Sequence, residues 1–408
     1  MDFKRKRWIY LVGALIAAIC TGIGYTWSVF QSPLIAKFGW NLRTASLIFT
    51  FQVIVSTMTP MMLGQLQQKL GLKKYLLTGA AIYGLGLIVT GFATNLVFFL
   101  ISFSVGVGLG TGMLYPSLMG YSVKLFPDKS GIAAGLMAGF YGTGAVIWAP
   151  TAAFLYQHYG IMNVYKILGI AFAVIITILL SFLKMPPADF TPETLKKKSA
   201  KHSNVPDLTW QQMVRTPKFY MLLVLFSLGN TSGLMIMAHA SSILQDGIAL
   251  SATKAAVLVG MVSMFNTGGR FFWGFISDAI GRYVTINILF ITVGLSMVAL
   301  SVASGVIFMT AIMAVGFCYG GFATIIAPTT ADIFGQKHVT VNYGFLYFSF
   351  GIGAILGPQI AAYTKSISGG YLTGFLVVSV FSIAGLVLNK LIMGTGRNTE
   401  KSINIQKA

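Results

Sequence analysis

An all-helical membrane protein of twelve spans, arranged six and six around a polar connection, is the fold class this sequence predicts, and three observations predict it. The chain has 408 residues, 56% of them hydrophobic and only 9% charged, a composition far from that of a soluble domain. Its apolar residues gather into runs of about 20, the length a helix needs to cross the hydrocarbon core of a bilayer. The 28 Lys and Arg sit in short clusters between those runs, far more on one side than on the other.

The runs fall near 8–30, 44–64, 75–94, 97–121, 131–153 and 164–184, then near 219–244, 253–276, 284–303, 306–330, 340–363 and 371–393. The expected organisation is an N-terminal six-helix bundle over 1–184, a cytoplasmic linker over 185–218, and a C-terminal six-helix bundle with a tail over 219–408. The linker carries MPPADFTPETLKKKSAKHSNVPD, a Pro-rich and Lys-rich stretch that cannot bury a core and suits the surface of an anionic bilayer. KRKR before the first run has the charge layout of a signal peptide, but eleven further spans follow, so it reads as an uncleaved first span.

With the N-terminus inside, only Lys37, Arg43, Lys166, Lys254 and Lys365 lie outside, and Arg270 lies within a span. That asymmetry predicts a multi-pass protein of the cell's inner (plasma) membrane with both termini cytoplasmic. The formal charge of +19 therefore reports topology and not a nucleic-acid partner. Cys20 and Cys318 fall within spans with no motif around them, which favours packed thiols over a disulfide or metal site. No cofactor and no metal are expected.

The halves repeat each other. GQLQQKLGLKK from Gly64 returns as GFISDAIGRY from Gly274, an offset of about 210, and FYGTGAVIWAP from Phe140 returns as SFGIGAILGP from Ser349 at nearly the same offset. Such a long-period repeat signals duplicated bundles in parallel. In the second copy Asp278, Gly281 and Arg282 form an expected structural latch, a carboxylate at a helix end with an arginine four residues on. The first copy has Gln68 where the acid would stand, so its latch should be weaker. Many of the 46 glycines serve close helix packing, and for Gly112, Gly320 and Gly321 thinning of a cavity wall is the alternative.

The functional expectation starts from Arg270, in SMFNTGGRFFWGFISDAIGRY. A charge within a span costs about 2.5 to 3.5 kcal/mol on insertion scales. Arginine stays protonated and presents a planar fork of donors that fits a carboxylate. No Asp or Glu falls inside any of the apolar runs, so a small organic anion is the expected partner. Asn266, four residues earlier, shares its helical face and either contacts the ligand or bonds a neighbouring helix. His239 is the one histidine in a span and the candidate for a coupled proton, with a helix-to-helix hydrogen bond as the equal alternative. Asn230 lies nine residues from it, opposite on a straight helix. Gln52, Tyr141 and Tyr347 are weaker candidates.

GxxxDxxGR between spans eight and nine, with its weaker copy between spans two and three, resembles the major facilitator superfamily over the whole chain. NTGGRFFWGFISDAIGRY from Asn266, LFPDKSGIAAGL from Leu125, RTPKFYMLL from Arg215, and ADIFG followed by NYGF at Asn342 are similar to the oxalate/formate antiporter family and its bacterial monocarboxylate relatives. The resemblance implies two bundles about a central cavity, alternating access, and a carboxylate held by Arg270. It also implies a cavity lined by Tyr25 and Trp27 of the first span, Tyr115 of the fourth and Tyr319 of the tenth. Where the oxalate exchanger has a lysine on the eleventh span, this chain has Phe350.

The sequence therefore predicts a secondary transporter of small carboxylates, monocarboxylates such as lactate, pyruvate or formate before others, working as a monomer with a coupled proton or a counter-exchanged anion. An oxalate/formate-type dicarboxylate antiporter is the alternative, and a transporter-like sensor of organic anions a more remote one. No span holds a nucleophile, metal cluster or carboxylate pair, which argues against an enzyme. A cation or drug exporter would want an acid facing its cargo.

Overall fold

The computed structural model describes residues 3–40, 42–185, 207–248 and 252–405, and these are helical, with no strand among them. The first span is built from α1 (Phe3–Thr21), a 3-10 turn (Gly22–Thr26) and α2 (Trp27–Phe38). The second and third are α3 (Leu42–Leu70) and α4 (Leu72–Thr90). The fourth joins α5 (Leu96–Phe99), a π-helical stretch (Leu100–Val107) and α6 (Gly108–Leu125), and the fifth and sixth are α7 (Ser130–Tyr159) and α8 (Ile161–Phe182). After the short α9 (Trp210–Met213) come α10 (Pro217–Ile248), α11 (Ala252–Ile280), α12 (Arg282–Val302), α13 (Gly305–Phe334), α14 (Val339–Ser368) and α15 (Leu372–Ile405).

Among the described residues, 11 helical segments are long and apolar enough to cross a membrane. The twelfth long helix is α11, whose 29 residues extend about 43 Å at 1.5 Å per residue. Length is not what sets it apart. Asn266, Arg270 and Asp278 dilute its apolar character, and they are the residues that give it chemical interest. Several helices also outrun the apolar runs that announce them, because a helix continues past the hydrocarbon wherever its ends are solvated. The apolar runs hold no acid, but the helices that extend beyond them do: Asp246 in the last turn of α10, Asp278 near the end of α11 and Asp332 near the end of α13.

The chain packs as two compact units, residues 1–210 with 330–351, and residues 211–329 with 352–408. In the first unit, side-chain donors reach main-chain carbonyls of neighbouring helices. Trp148 Nε1 donates to Ile19 O at 2.9 Å, Tyr83 OH to Cys20 O at 3.1 Å, and Ser104 Oγ to Ile48 O at 2.7 Å. Each bond satisfies a group that lipid could not. Arg7, buried, pairs bidentately with Asp128 at 2.7 and 3.0 Å, and its guanidinium lies over the Phe126 ring.

In the second unit Asn389 Nδ2 donates to Tyr283 O at 2.9 Å and to Asn287 Oδ1 at 2.7 Å, joining α15 to α12. Glycines of α14 lie on the backbone of α10: Gly353 at Asn230 and Thr231, Gly357 at Thr231 and Met235. The repeat announced by the sequence is visible in the backbone. Gly71 opens α4 at φ +76° and Gly281 opens α12 at φ +91°, a left-handed conformation that favours glycine and turns the chain sharply between consecutive spans.

Candidate functional site

In the second unit Arg270 is 2% exposed and sits where α11 and α13 meet backbone to backbone. A side chain at Gly320 of α13 would collide with the Asn266 carbonyl and the Arg270 amide, and one at Gly269 of α11 with the Phe317 carbonyl. Thr324 Oγ1 donates to Arg270 O at 3.4 Å. The helix pair is thus glycine-paved around the arginine, which fixes its backbone.

Asn266 is 6% exposed, and its Nδ2 donates to Gly316 O at 3.2 Å. The carboxamide that shares Arg270's helical face therefore spends a donor on α13. Tyr319 of α13 is buried, with its ring against Gly233 of α10, and Phe322 lies against Gly229. Tyr319, which meets α10, and Gly320, which meets α11, are adjacent in the chain, so α13 touches both helices at this level.

Asn230 is fully buried on α10, and neither Oδ1 nor Nδ2 has a hydrogen-bond partner among the described residues. Leaving a buried amide unpaired costs about 1 to 3 kcal/mol. His239 is half-buried, and its Nε2 lies 3.2 Å from Pro358 O of α14. A carbonyl only accepts, so Nε2 carries the proton and Nδ1 is the atom left to titrate. The straight-helix geometry set Asn230 and His239 on opposite faces of α10, yet both engage α14, at Gly353 and at Pro358. The close glycine contacts bring the two helices near enough for both residues to reach.

The first unit gathers the aromatic candidates. Tyr115 of α6 stacks on Tyr141 of α7 with centroids 4.0 Å apart and lies 5.7 Å from Tyr347 of α14. Tyr347 in turn stacks on Phe350 at 5.7 Å with the rings nearly parallel. Four rings thus form a continuous run, three of them phenolic and one purely apolar. Trp27 is 7% exposed and packed between Phe49 and Phe103. The side chain of Tyr25 lies outside the described residues, as does Lys197 of the linker. Gly112 is closed off by Ser56 and Thr59 of α3, and Gly321 by Trp273 and Leu289, so at both positions, as at Gly320, glycine serves helix packing.

At the end of α11, Arg282 Nη2 donates to Asp278 Oδ1 at 2.6 Å, and Nη1 to Ser277 Oγ at 2.6 Å. Three further features were not singled out in the sequence. Lys365 pairs with Asp246 at 2.8 Å and lies over the Tyr371 ring, Arg7 pairs with Asp128, and Asp207 of the linker binds the turn between α13 and α14. Asp128 stands in LFPDKSG, and that motif was the available signal for the second. No group of three or more metal-ligating side chains converges among the described residues.

The family model described as Major Facilitator Superfamily matches residues 12–307 and 269–407. An uncharacterized MFS-type transporter, YhjX, of Escherichia coli (strain K12) is 30% identical over 87% of this chain and 87% of its own length. The oxalate:formate antiporter of Oxalobacter formigenes is 27% identical over 98% of this chain and 95% of its own. Monocarboxylate transporter 13 of Rattus norvegicus is 22% identical over 93% and 87%. Among solved structures, the transporter FucP in the outward conformation superposes with a TM-score of 0.76 at 15% identity, covering 95% of this chain and 99% of that one.

Proposed function

Because this chain belongs to the Major Facilitator Superfamily and is a secondary transporter, not an enzyme, we propose that its cargo is a small carboxylate, a monocarboxylate before others, anchored by Arg270. The observation that carries this reading is a guanidinium 2% exposed on a membrane helix, in a chain whose relatives include an oxalate:formate antiporter and a monocarboxylate transporter. Desolvation strengthens the attraction between that fixed cation and an anion, and the fork of donors gives it direction.

Phe350 decides between one carboxylate and two. Each carboxylate brought out of water loses several kcal/mol of hydration, and one guanidinium answers one of them at close range. Phe350 stands where the resemblance places a second cation and offers an apolar ring, which a methyl group suits and a second carboxylate does not. The dicarboxylate antiporter remains the second reading because the relative of that name aligns over nearly the whole chain. Alternating access between two six-helix halves, 1–184 and 219–408, joined by a cytoplasmic linker over 185–218, is part of the proposal. So are an inner-membrane location with both termini cytoplasmic and action as a monomer.

Coupling to a proton would use His239, whose Nδ1 is left to titrate; exchange against a second anion needs no such group. Uptake of a panel of labelled carboxylates into liposomes containing the protein, with and without a pH gradient, tests the proposal. Saturable uptake of lactate- or pyruvate-like monoanions is expected. Uptake of none of the carboxylates in the panel would overturn it.

A further inference from the structure

The described end of the central connection, residues 207–210, does not simply lead into α10. It is fastened to the turn between α13 and α14 inside the first unit. Leu208 N donates to Phe334 O at 3.0 Å, Lys337 N donates to Asp207 Oδ1 at 2.9 Å, and Asn342 Nδ2 donates to Leu208 O at 2.9 Å. The Trp210 ring stacks on Phe345 at 5.0 Å and 14°. Gly335 sits at φ +91°, and Asp207 fills the space that a side chain there would need.

Helix ends explain why this arrangement holds. The last carbonyls of α13 have no partners within their own helix, whereas the first amides of α14 are met by the turn itself, Val341 N and Asn342 N donating to His338 O at 3.1 and 3.0 Å. Leu208 satisfies the carbonyl side. Asp207 accepts from the Lys337 amide, in the turn two residues before α14 begins. The cap of one span and a bond to the turn that follows it thus come from a connection more than a hundred residues earlier in the chain. The connection's other end is fastened in the same unit, since Tyr121 OH of α6 donates to Lys184 O at 2.7 Å.

The turn held in this way lies on helices of the first half with no space to spare. Gly120 of α6 abuts the Thr340 backbone, Gly64 of α3 abuts Val341 and Phe345, and Gly344 abuts Pro60. Lys124 Nζ also reaches Lys337 O at 3.4 Å. On the alternating-access reading, opening this end of the carrier takes residues 334–345 away from α3 and α6. We propose that residues 207–210 are a clasp that holds the α13–α14 turn against α3 and α6 and biases the carrier toward the state in which this end is shut. The proposal rests on the alternating-access reading but not on the identity of the cargo.

The test uses the full-length protein in membranes without added substrate. Thr340→Cys places a thiol of nearly threonine's size against α6, and the native Cys20 and Cys318 are buried. Its rate of reaction with a membrane-impermeant maleimide reports how often residues 334–345 leave α6. Removing a charge-assisted hydrogen bond should raise that rate about tenfold in Asp207→Ala. Asp207→Asn, which keeps an acceptor oxygen, should restore most of the protection, a rescue that general loosening of the fold would not give. Asn342→Ala provides an independent arm and should raise the rate in the same direction. Unchanged labelling in both alanine variants, or an Asp207→Asn variant as reactive as Asp207→Ala, would overturn the clasp. Because labelling needs no cargo, its outcome is separable from that of the uptake assay.

Discussion

Gly320 and Arg270 meet backbone to backbone, the space beside Gly320 Cα being filled by the Arg270 amide and the Asn266 carbonyl. A glycine on α13 therefore fixes the position of the cation on α11. Gly320→Val should displace α11 from α13, at an overpacking cost of about 1 to 3 kcal/mol, and reduce uptake at least tenfold in protein that still reaches the membrane. Normal uptake by that variant would show that the contact does not position the arginine.

The aromatic run gives the second expectation. Phe350 lies flat on Tyr347 at its apolar end, and a lysine there would bring a second cation to the tyrosines of α6 and α7. Wild-type protein should admit monocarboxylates with oxalate competing poorly, and Phe350→Lys should narrow or reverse that preference. Competition measured in the same liposomes checks it. Tight oxalate exchange with Phe350 intact would refute the charge argument.

His239 supplies the third. Its Nε2 is engaged by Pro358 O, so His239→Gln keeps a donor for that carbonyl while removing the titrating nitrogen. If the coupled proton is carried on Nδ1, uptake driven by a pH gradient should lose its pH dependence while substrate affinity changes little. A pH profile identical to wild type would assign His239 to helix packing and leave the proton to travel on the substrate as the neutral acid.

A fourth concerns the clasp. Burial and the charges of Lys337 and Lys124 hold His338 below its ordinary pKa of 6.5, with Asp207 opposing them. A lowered pKa in the closed turn means that neutral His338 is the form the turn accommodates. Its contribution is complete above about pH 6.5 and is lost as pH falls through the lowered value. Relative to a freely exposed cysteine at the same pH, which corrects for the falling thiolate fraction, labelling of Thr340→Cys should therefore quicken on acidification below 6.5, and His338→Gln should flatten that rise.

Much of the fold is legible in the sequence because the signals are local or periodic. Apolar runs mark the spans, and the offset between the Gly64 and Gly274 segments anticipates the shared backbone of Gly71 and Gly281. Arg270 stands out for the same reason, a charge where lipid penalises charge. What depends on which helix lies alongside is not legible. The donor of Asn266 is taken by Gly316, fifty residues away, and Asn230 and His239 face one neighbour although spacing alone sets them apart. Asp207 looks like one more polar residue of a linker until the α13–α14 turn shows which amide it accepts from. Asp246 escaped notice because an apolar run ends where hydropathy falls, while the helix goes on to pair that acid with Lys365.

The central claim is that Arg270 holds the carboxylate through a planar, bidentate fork, and Arg270→Lys tests it most directly because it preserves the charge and removes the fork. The variant should reach the membrane at near wild-type level and show no saturable uptake of any carboxylate that the wild type carries, measured in parallel liposomes. Wild-type uptake by Arg270→Lys would contradict the claim and place the anchor elsewhere.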